Sequence, residues 1–273
     1  MKIEKVHAVY FSPTGTTKTV ITHLVKCITT LLPEVVTEVK DFTLPSGRKK
    51  VPDIRESELA IVGLPVYAGR LPNLLLNYLT TWQSNGAWAV PVVVYGNRSY
   101  GNALVELYDI LRYRGFHPIA AAAFVGQHSF TTRLATGRPD REDLEKAEQF
   151  SAEIVRRILQ PGEFTGIKIP GQGAPDYGGY YKPKGRDEEV VNFLKAKPVT
   201  TDACIDCRRC AKVCPMGSIS FENVREIPGI CIKCCACVKE CPNGARVFNT
   251  PFSEFLFKNF HERKEPELFY PTH

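Results

Sequence analysis

Nine of the ten cysteines in this 273-residue chain lie between positions 204 and 241, a density that makes thiolate chemistry the first question. They fall into two runs of one form, Cys204-x2-Cys207-x2-Cys210-x3-Cys214-Pro215 and Cys231-x2-Cys234-x2-Cys237-x3-Cys241-Pro242. Three thiolates from one short loop suit three irons of a cubane, and this spacing is the bacterial iron-sulfur ligation pattern. Tetrahedral zinc is the competing use of dense cysteine, but zinc modules present two Cys pairs, without a third near cysteine or a Cys-Pro end. Cys235 interrupts the second run and would break the x2 spacing on both sides if it replaced Cys234. It reads as a non-ligand packed nearby, and Cys27, inside a predicted helix, as a small core residue.

A second candidate lies near the start of the chain. Ser12-Pro13-Thr14-Gly15-Thr16-Thr17 follows a short apolar run and opens into an amphipathic one. Hydroxyls and unpaired N–H groups at a helix N-terminus favour a phosphate. Neither G-x-G-x-x-G nor G-x4-G-K-[ST] is present, and a loop of hydroxyls and one glycine, without lysine, suits a single terminal phosphate. Simple helix capping draws on the same residue types.

The elements that must position these groups follow from periodicity. Val6 to Phe11, Val35 to Val39, Leu59 to Val62, Val90 to Tyr95 and Ile119 to Val125 read as buried strands. Helical stretches Thr17 to Leu31, Asn73 to Trp82, Asn102 to Arg114 and Arg141 to Leu159 alternate with them or follow them. Such alternation predicts a parallel sheet covered on both faces, with ligands beyond the carboxyl ends of its strands. The loops after strands one, three and four are therefore the places to look, and Gln127 to Phe130 follows strand five on the same edge.

Four segments are predicted: a body over 1–160, a connector over 161–198 with five prolines and seven glycines, a cysteine module over 199–250, and a Phe-rich tail over 251–273. The module contains an internal repeat. Shifting Cys204 to Pro215 by 27 positions gives Cys231 to Pro242, and Ile205, Lys212, Gly217 and Phe221 also find identical partners. The tail predicts a short helix docking on the body or on a second copy of the chain.

On these residues, 199–250 resembles the two-cluster bacterial ferredoxins. That resemblance implies a small α+β fold holding two [4Fe-4S] clusters, with the fourth cysteine of each run crossing to the other cluster. One ligand set would be Cys204, Cys207, Cys210 and Cys241, the other Cys231, Cys234, Cys237 and Cys214. Residues 12–17 resemble the flavodoxin FMN-phosphate loop, [ST]-x-T-G-x-T, with Ser12, Thr14, Gly15 and Thr17 at the pattern positions and Thr16 beside them. The resemblance implies a doubly wound, five-stranded parallel sheet in the order 2-1-3-4-5. It further implies flavin contacts from Pro65, Val66, Tyr67, Ala68 and Gly69, from Gly96, Asn97 and Arg98, and from His128 at the border, with Tyr100 stacked on the ring and Tyr67 the second choice.

Together the chain resembles flavodoxin-ferredoxin fusion proteins, known mostly from anaerobic bacteria and archaea. The implied function is electron transfer, relaying electrons between two clusters and FMN, with one-electron redox proteins or a redox enzyme as partners. An FMN-dependent reductase of a small acceptor is the alternative, and a redox-sensing module a third reading. Flavodoxins commonly place acids around the flavin, whereas these loops carry Arg70 and Arg98, which would raise the flavin potential.

Composition is that of a globular chain, with 44% hydrophobic and 23% charged residues. The net charge of +6 invites a nucleic-acid reading, but two cubanes with thiolates bring roughly −2 each and an FMN phosphate roughly −2 more. Much of the basicity is thus compensation for anionic cofactors, and no nucleic-acid partner is expected. The N-terminus carries charges of both signs without an apolar signal region, and no stretch reaches membrane-span length, so a reducing cytoplasm is expected.

Overall fold

A computed structural model describes residues 3–160, 166–173, 175–184, 189, 193 and 196–271. The remaining positions of the predicted connector and tail lie outside the described residues. The body runs β1 (Lys5–Tyr10), α1 (Thr16–Leu31), β2 (Val36–Asp41), β3 (Glu58–Pro65), α2 (Asn73–Leu79), β4 (Trp88–Tyr95), α3 (Ala103–Tyr113), β5 (His117–Pro118), β6 (Ala121–Val125) and α4 (Arg141–Leu159). The second part adds β7 (Val199–Thr200), α5 (Arg209–Lys212), α6 (Ala236–Lys239), β8 (Arg246–Val247), α7 (Phe252–Phe260) and β9 (Glu267–Phe269).

The sheet order is β2-β1-β3-β4-β6-β9, and every neighbouring pair up to β6 is parallel. The short β5 pairs with the start of β4, so β5 and β6 together make the fifth strand. This is the flavodoxin-like 2-1-3-4-5 order. Strands β1, β3, β4 and β6 are almost wholly buried, because helices cover both faces. On one side Val20, Ile21, Leu24, Val25 and Ile28 of α1 form a stripe that packs with Phe150 and Ile154 of α4. On the other, α2 and α3 supply Leu75, Leu79, Leu104, Leu107 and Leu111.

One feature exceeds the expected five-stranded sheet. The tail returns to the body, where β9 pairs antiparallel with β6 in the register Ala121↔Phe269 and Ala123↔Glu267. A three-residue strand has too little periodicity to be read from sequence. Before it, α7 joins an aromatic cluster in which Phe252, Phe255 and Leu256 pack with Leu134, Phe130 and Phe193.

In the cysteine module, β7 and β8 form an antiparallel pair, and the 27-residue repeat reappears in the backbone. Asp206 and Lys233, Arg208 and Cys235, and Gly217 and Gly244 all take left-handed conformations, φ between 51° and 60°. Arg48 of the body donates to the Pro215 carbonyl, and Ile232 packs against the body's core. Among the described residues no helix is long and apolar enough to cross a membrane.

Candidate functional site

A cavity of about 990 Å³ opens at the carboxyl edge of the sheet. Thr14, Thr16 and Thr17 line one end of it; Pro65, Val66, Tyr67, Ala68 and Gly69 follow from the loop after β3, and Gly96 and Arg98 from the loop after β4. His128 and Phe130 add to the body's share. Tyr181 and Phe193 of the connector, Phe252 of α7, and Cys231 and Cys234 of the module close the opposite wall.

The phosphate-loop end suits a phosphate monoester. Gly15 precedes α1 at φ 84°, no side chain caps it through Gly15, and the first turn holds no acid. Among the described residues the amides of Thr16 and Thr17 take no partner, which leaves two donors at a helix N-terminus. The loop also sits close to the sheet: a Cβ on Gly126 would lie 2.3 Å from Thr16 Cγ2.

Several residues expected at the flavin have other partners in the structure. Ser12 does not line the cavity; its Oγ accepts from the Lys18 amide at 2.9 Å, so it caps α1. Gly15 shapes the loop without lining the cavity. Asn97 is buried and donates to the carbonyls of Phe260 and Glu262 at 2.6 and 2.7 Å, tying down the tail. Tyr100 is not a stacking ring over the cavity: its hydroxyl donates to Glu267 at 2.7 Å and its ring packs edge-on against Tyr95. Loop position alone points both residues at the cavity, but their partners lie more than 160 residues away.

Of the two tyrosines expected at the ring, Tyr67 lines the cavity. It heads a tight turn, exchanging backbone bonds with Arg70 across Ala68 and Gly69, both at positive φ. Its hydroxyl is pushed well up by burial and by the neighbouring Cys234, Cys235 and Cys231. Tyr67 therefore spans the gap between flavin-side loop and cysteine module.

The two arginines expected together part company. Arg70 is buried, pairs bidentately with Glu106 at 2.9 and 2.6 Å, and lies against Tyr177 and Tyr180. Its charge is neutralised, and removing one partner of such a pair costs about 3–5 kcal/mol. Arg98 lines the cavity over the Tyr181 ring, 4.0 Å from its centroid, and has no carboxylate partner among the described residues. His128 accepts a bond from the Phe130 amide on Nδ1 at 3.1 Å. Burial, with the Arg98 charge beside it, lowers its pKa to about 4. The imidazole is thus neutral with its proton on Nε2.

The cysteines converge in two groups. Cys204, Cys207, Cys210 and Cys241 line one small cavity; Cys214, Cys231, Cys234 and Cys237, with Cys235, line another. The fourth cysteine of each run has crossed to the other group. As free thiols these groups resist ionisation: burial pushes Cys234 and Cys235 well up and Cys237 to about 11. Ligation of a metal cluster is the chemistry that stabilises several thiolates at such a spacing, so the donor set fits.

Sequence reasoning missed Arg246. It is 2% exposed and lies beside both groups, its charge favouring the thiolates of Cys210 and Cys237. One nitrogen donates to the Val224 carbonyl at 2.7 Å, while Nε and Nη2 have no partner among the described residues. Ile219 holds the repeat-related position, so the signal was a break in the repeat.

Residues 197–247 match the model of the 4Fe-4S dicluster domain. No curated protein matches the chain. Among solved structures, a flavodoxin from Streptococcus pneumoniae TIGR4 is 19% identical, spanning 56% of this chain and 99% of its own, with a TM-score of 0.40. A flavodoxin from the domain Archaea gives 16%, 57%, 99% and 0.40. The rubredoxin oxygen:oxidoreductase of the anaerobe Desulfovibrio gigas gives 16%, 58%, 37% and 0.38. By its own strand order the body is a flavodoxin-like α/β sheet, and a 4Fe-4S domain follows it in the chain.

Proposed function

We propose that this chain is an electron-transfer protein that relays electrons between two [4Fe-4S] clusters and an FMN held in the same chain. The observation that carries the reading is the shared cavity, lined at one end by Thr14, Thr16 and Thr17 and at the other by Cys231 and Cys234. Bound there, a flavin exchanges two electrons singly or together, and each cubane exchanges one.

The residues divide the work. The amides of Thr16 and Thr17 and the threonine hydroxyls hold the phosphate. Val66, Tyr67 and Gly69 border the ring, and neutral His128 offers an Nε2–H donor. Arg98 places an uncompensated cation there, which favours an anionic ring and raises its potential; Arg70, paired with Glu106, does not contribute. Phe130, Phe193 and Phe252 exclude water from the wall next to the module. Cys204, Cys207, Cys210 and Cys241 ligate the outer cluster, and Cys231, Cys234, Cys237 and Cys214 the one nearer the cavity. The thiol-rich module fits a reducing cytoplasm.

Anaerobic purification with iron, sulfide and FMN quantified, followed by stopped-flow reduction of the clusters, tests the relay. About eight irons and one FMN per chain, with flavin reduction following cluster reduction at a rate independent of protein concentration, are expected. A rate that scales with protein concentration places the transfer between chains and overturns the intramolecular relay.

The size of the cavity favours a second reading, an FMN-dependent reductase fed by its own clusters. A volume of about 990 Å³ lies at the top of the range of about 300–1,000 Å³ for small-molecule sites, leaving room for an acceptor beside Arg98, His128 and Tyr181. Steady-state turnover of a quinone or nitroaromatic far above passive flavin reoxidation distinguishes it from the carrier.

A further inference from the structure

On the opposite side of the body from the module's contacts, α1 carries His23 and Cys27 one turn apart, and α4 carries Glu148 facing them. Helical residues four apart share a face, so the imidazole and the thiol point together towards the neighbouring helix. One donor atom from each of the three lies within 4.8 Å of the other two, and His23 Nε2 lies 3.5 Å from the Glu148 carboxylate. The edges of a tetrahedral zinc site with nitrogen, oxygen and sulfur ligands measure about 3.3–3.8 Å, so the triad is close to that geometry before any adjustment.

The surroundings leave these donors unclaimed. His23 Nε2 is shielded from solvent and makes no hydrogen bond among the described residues; buried polar atoms left in this state are uncommon. Among the described residues Glu148 meets no lysine or arginine within ion-pair distance, and of basic groups its carboxylate faces His23 alone. The packing of α1 on α4 is already fixed by Leu24, Val25 and Ala147 and by the Ser151 hydroxyl near the Leu24 carbonyl. The donors are therefore held in place by the core and not by one another.

We propose that His23, Cys27 and Glu148 form a zinc site that clamps α1 to α4. Imidazole, thiolate and carboxylate are the three ligand types that this borderline ion accepts, and three protein ligands leave a fourth position for water. Zinc enters as the dication, the Cys27 thiol proton passes to solvent, and no electron is exchanged. The site is separate from the cysteines at 204–241 and does not depend on what the central cavity holds.

The test uses the full chain purified anaerobically with its iron in place, dialysed against buffered zinc. Wild type is expected to retain one zinc per chain with its iron unchanged, and Cys27→Ala and His23→Gln to lose it. Glu148→Gln, at an exposed position outside the packed core, is expected to bind more weakly by at least the about 10–100-fold that loss of an outer-shell partner costs. Zinc absorption spectroscopy should find a single sulfur neighbour, and zinc should raise the urea midpoint of wild type but not of Cys27→Ala. No retained zinc, equal zinc in wild type and Cys27→Ala, or several sulfur neighbours would each overturn the proposal.

Discussion

The two cysteine runs repeat each other's cysteine spacing at 27 positions' distance and share the same left-handed backbone turns, yet they stand in different surroundings. Cys207 of the first run is exposed, and Arg208, Arg209 and Asn243 line its cavity towards solvent. The second run presses Cys231 and Cys234 against the body, beside Tyr67, and replaces Arg208 by the buried Cys235. Repetition fixes how the thiols converge, and the neighbours decide what each group can reach. On the reading proposed, the first group faces outward to a partner and the second inward to the flavin.

The largest test is to remove one ligand from each half. Cys234→Ala is expected to slow flavin reduction by a small-molecule reductant of the clusters about 100-fold, whereas Cys207→Ala should leave the inner cluster able to feed the flavin. Stopped-flow absorbance reads both, and equal losses would erase the inward and outward distinction.

Replacing Arg246 by Leu removes the cation that both groups share. Both cluster potentials should fall, by about 60 mV for each tenfold change in the one-electron equilibrium. Potentiometry followed by electron paramagnetic resonance reads them separately, and a shift in only one cluster would show that the cation serves a single half. Next comes lability. In oxidised protein a chelator should take iron from the Cys207 group about tenfold faster than from the buried one, as mapped by which cysteines become alkylated first. Loss at equal rates would mean that exposure does not govern access.

The smallest effect belongs to Cys235→Ala. Iron content should be unchanged and stability lowered by about 1 kcal/mol, the cost of a small vacancy in a packed site. Loss of four irons would instead make Cys235 a ligand and restore asymmetry of another kind.

How much of this was legible depended on the distance over which residues act. The cysteine runs, their repeat and the helix at 141–159 carry their signals within a few turns of chain, and α4 has the predicted bounds. Thr14, Thr16 and Thr17 were readable for the same reason, as a loop between an apolar strand and a helix. Arg70 and Arg98 look equivalent in sequence. Only the fold supplies Glu106 to one and leaves the other without a carboxylate. Asn97 and Tyr100 sit in the right loop for a flavin, but their polar atoms answer to Phe260, Glu262 and Glu267. Nothing local announces a partner that far along the chain.

The strand at Glu267–Phe269 also sets a timetable for synthesis. On the ribosome, Ala121–Val125 emerges with one side paired to β4 and the other open, and its cover is made more than 140 residues later. At translation rates of about 5–20 residues per second, that interval lasts roughly 7–30 s. Throughout it the nascent body presents an apolar, unpaired edge of the kind that invites strand addition from other chains, so a newborn chain depends on its last strand to withdraw that edge from its neighbours.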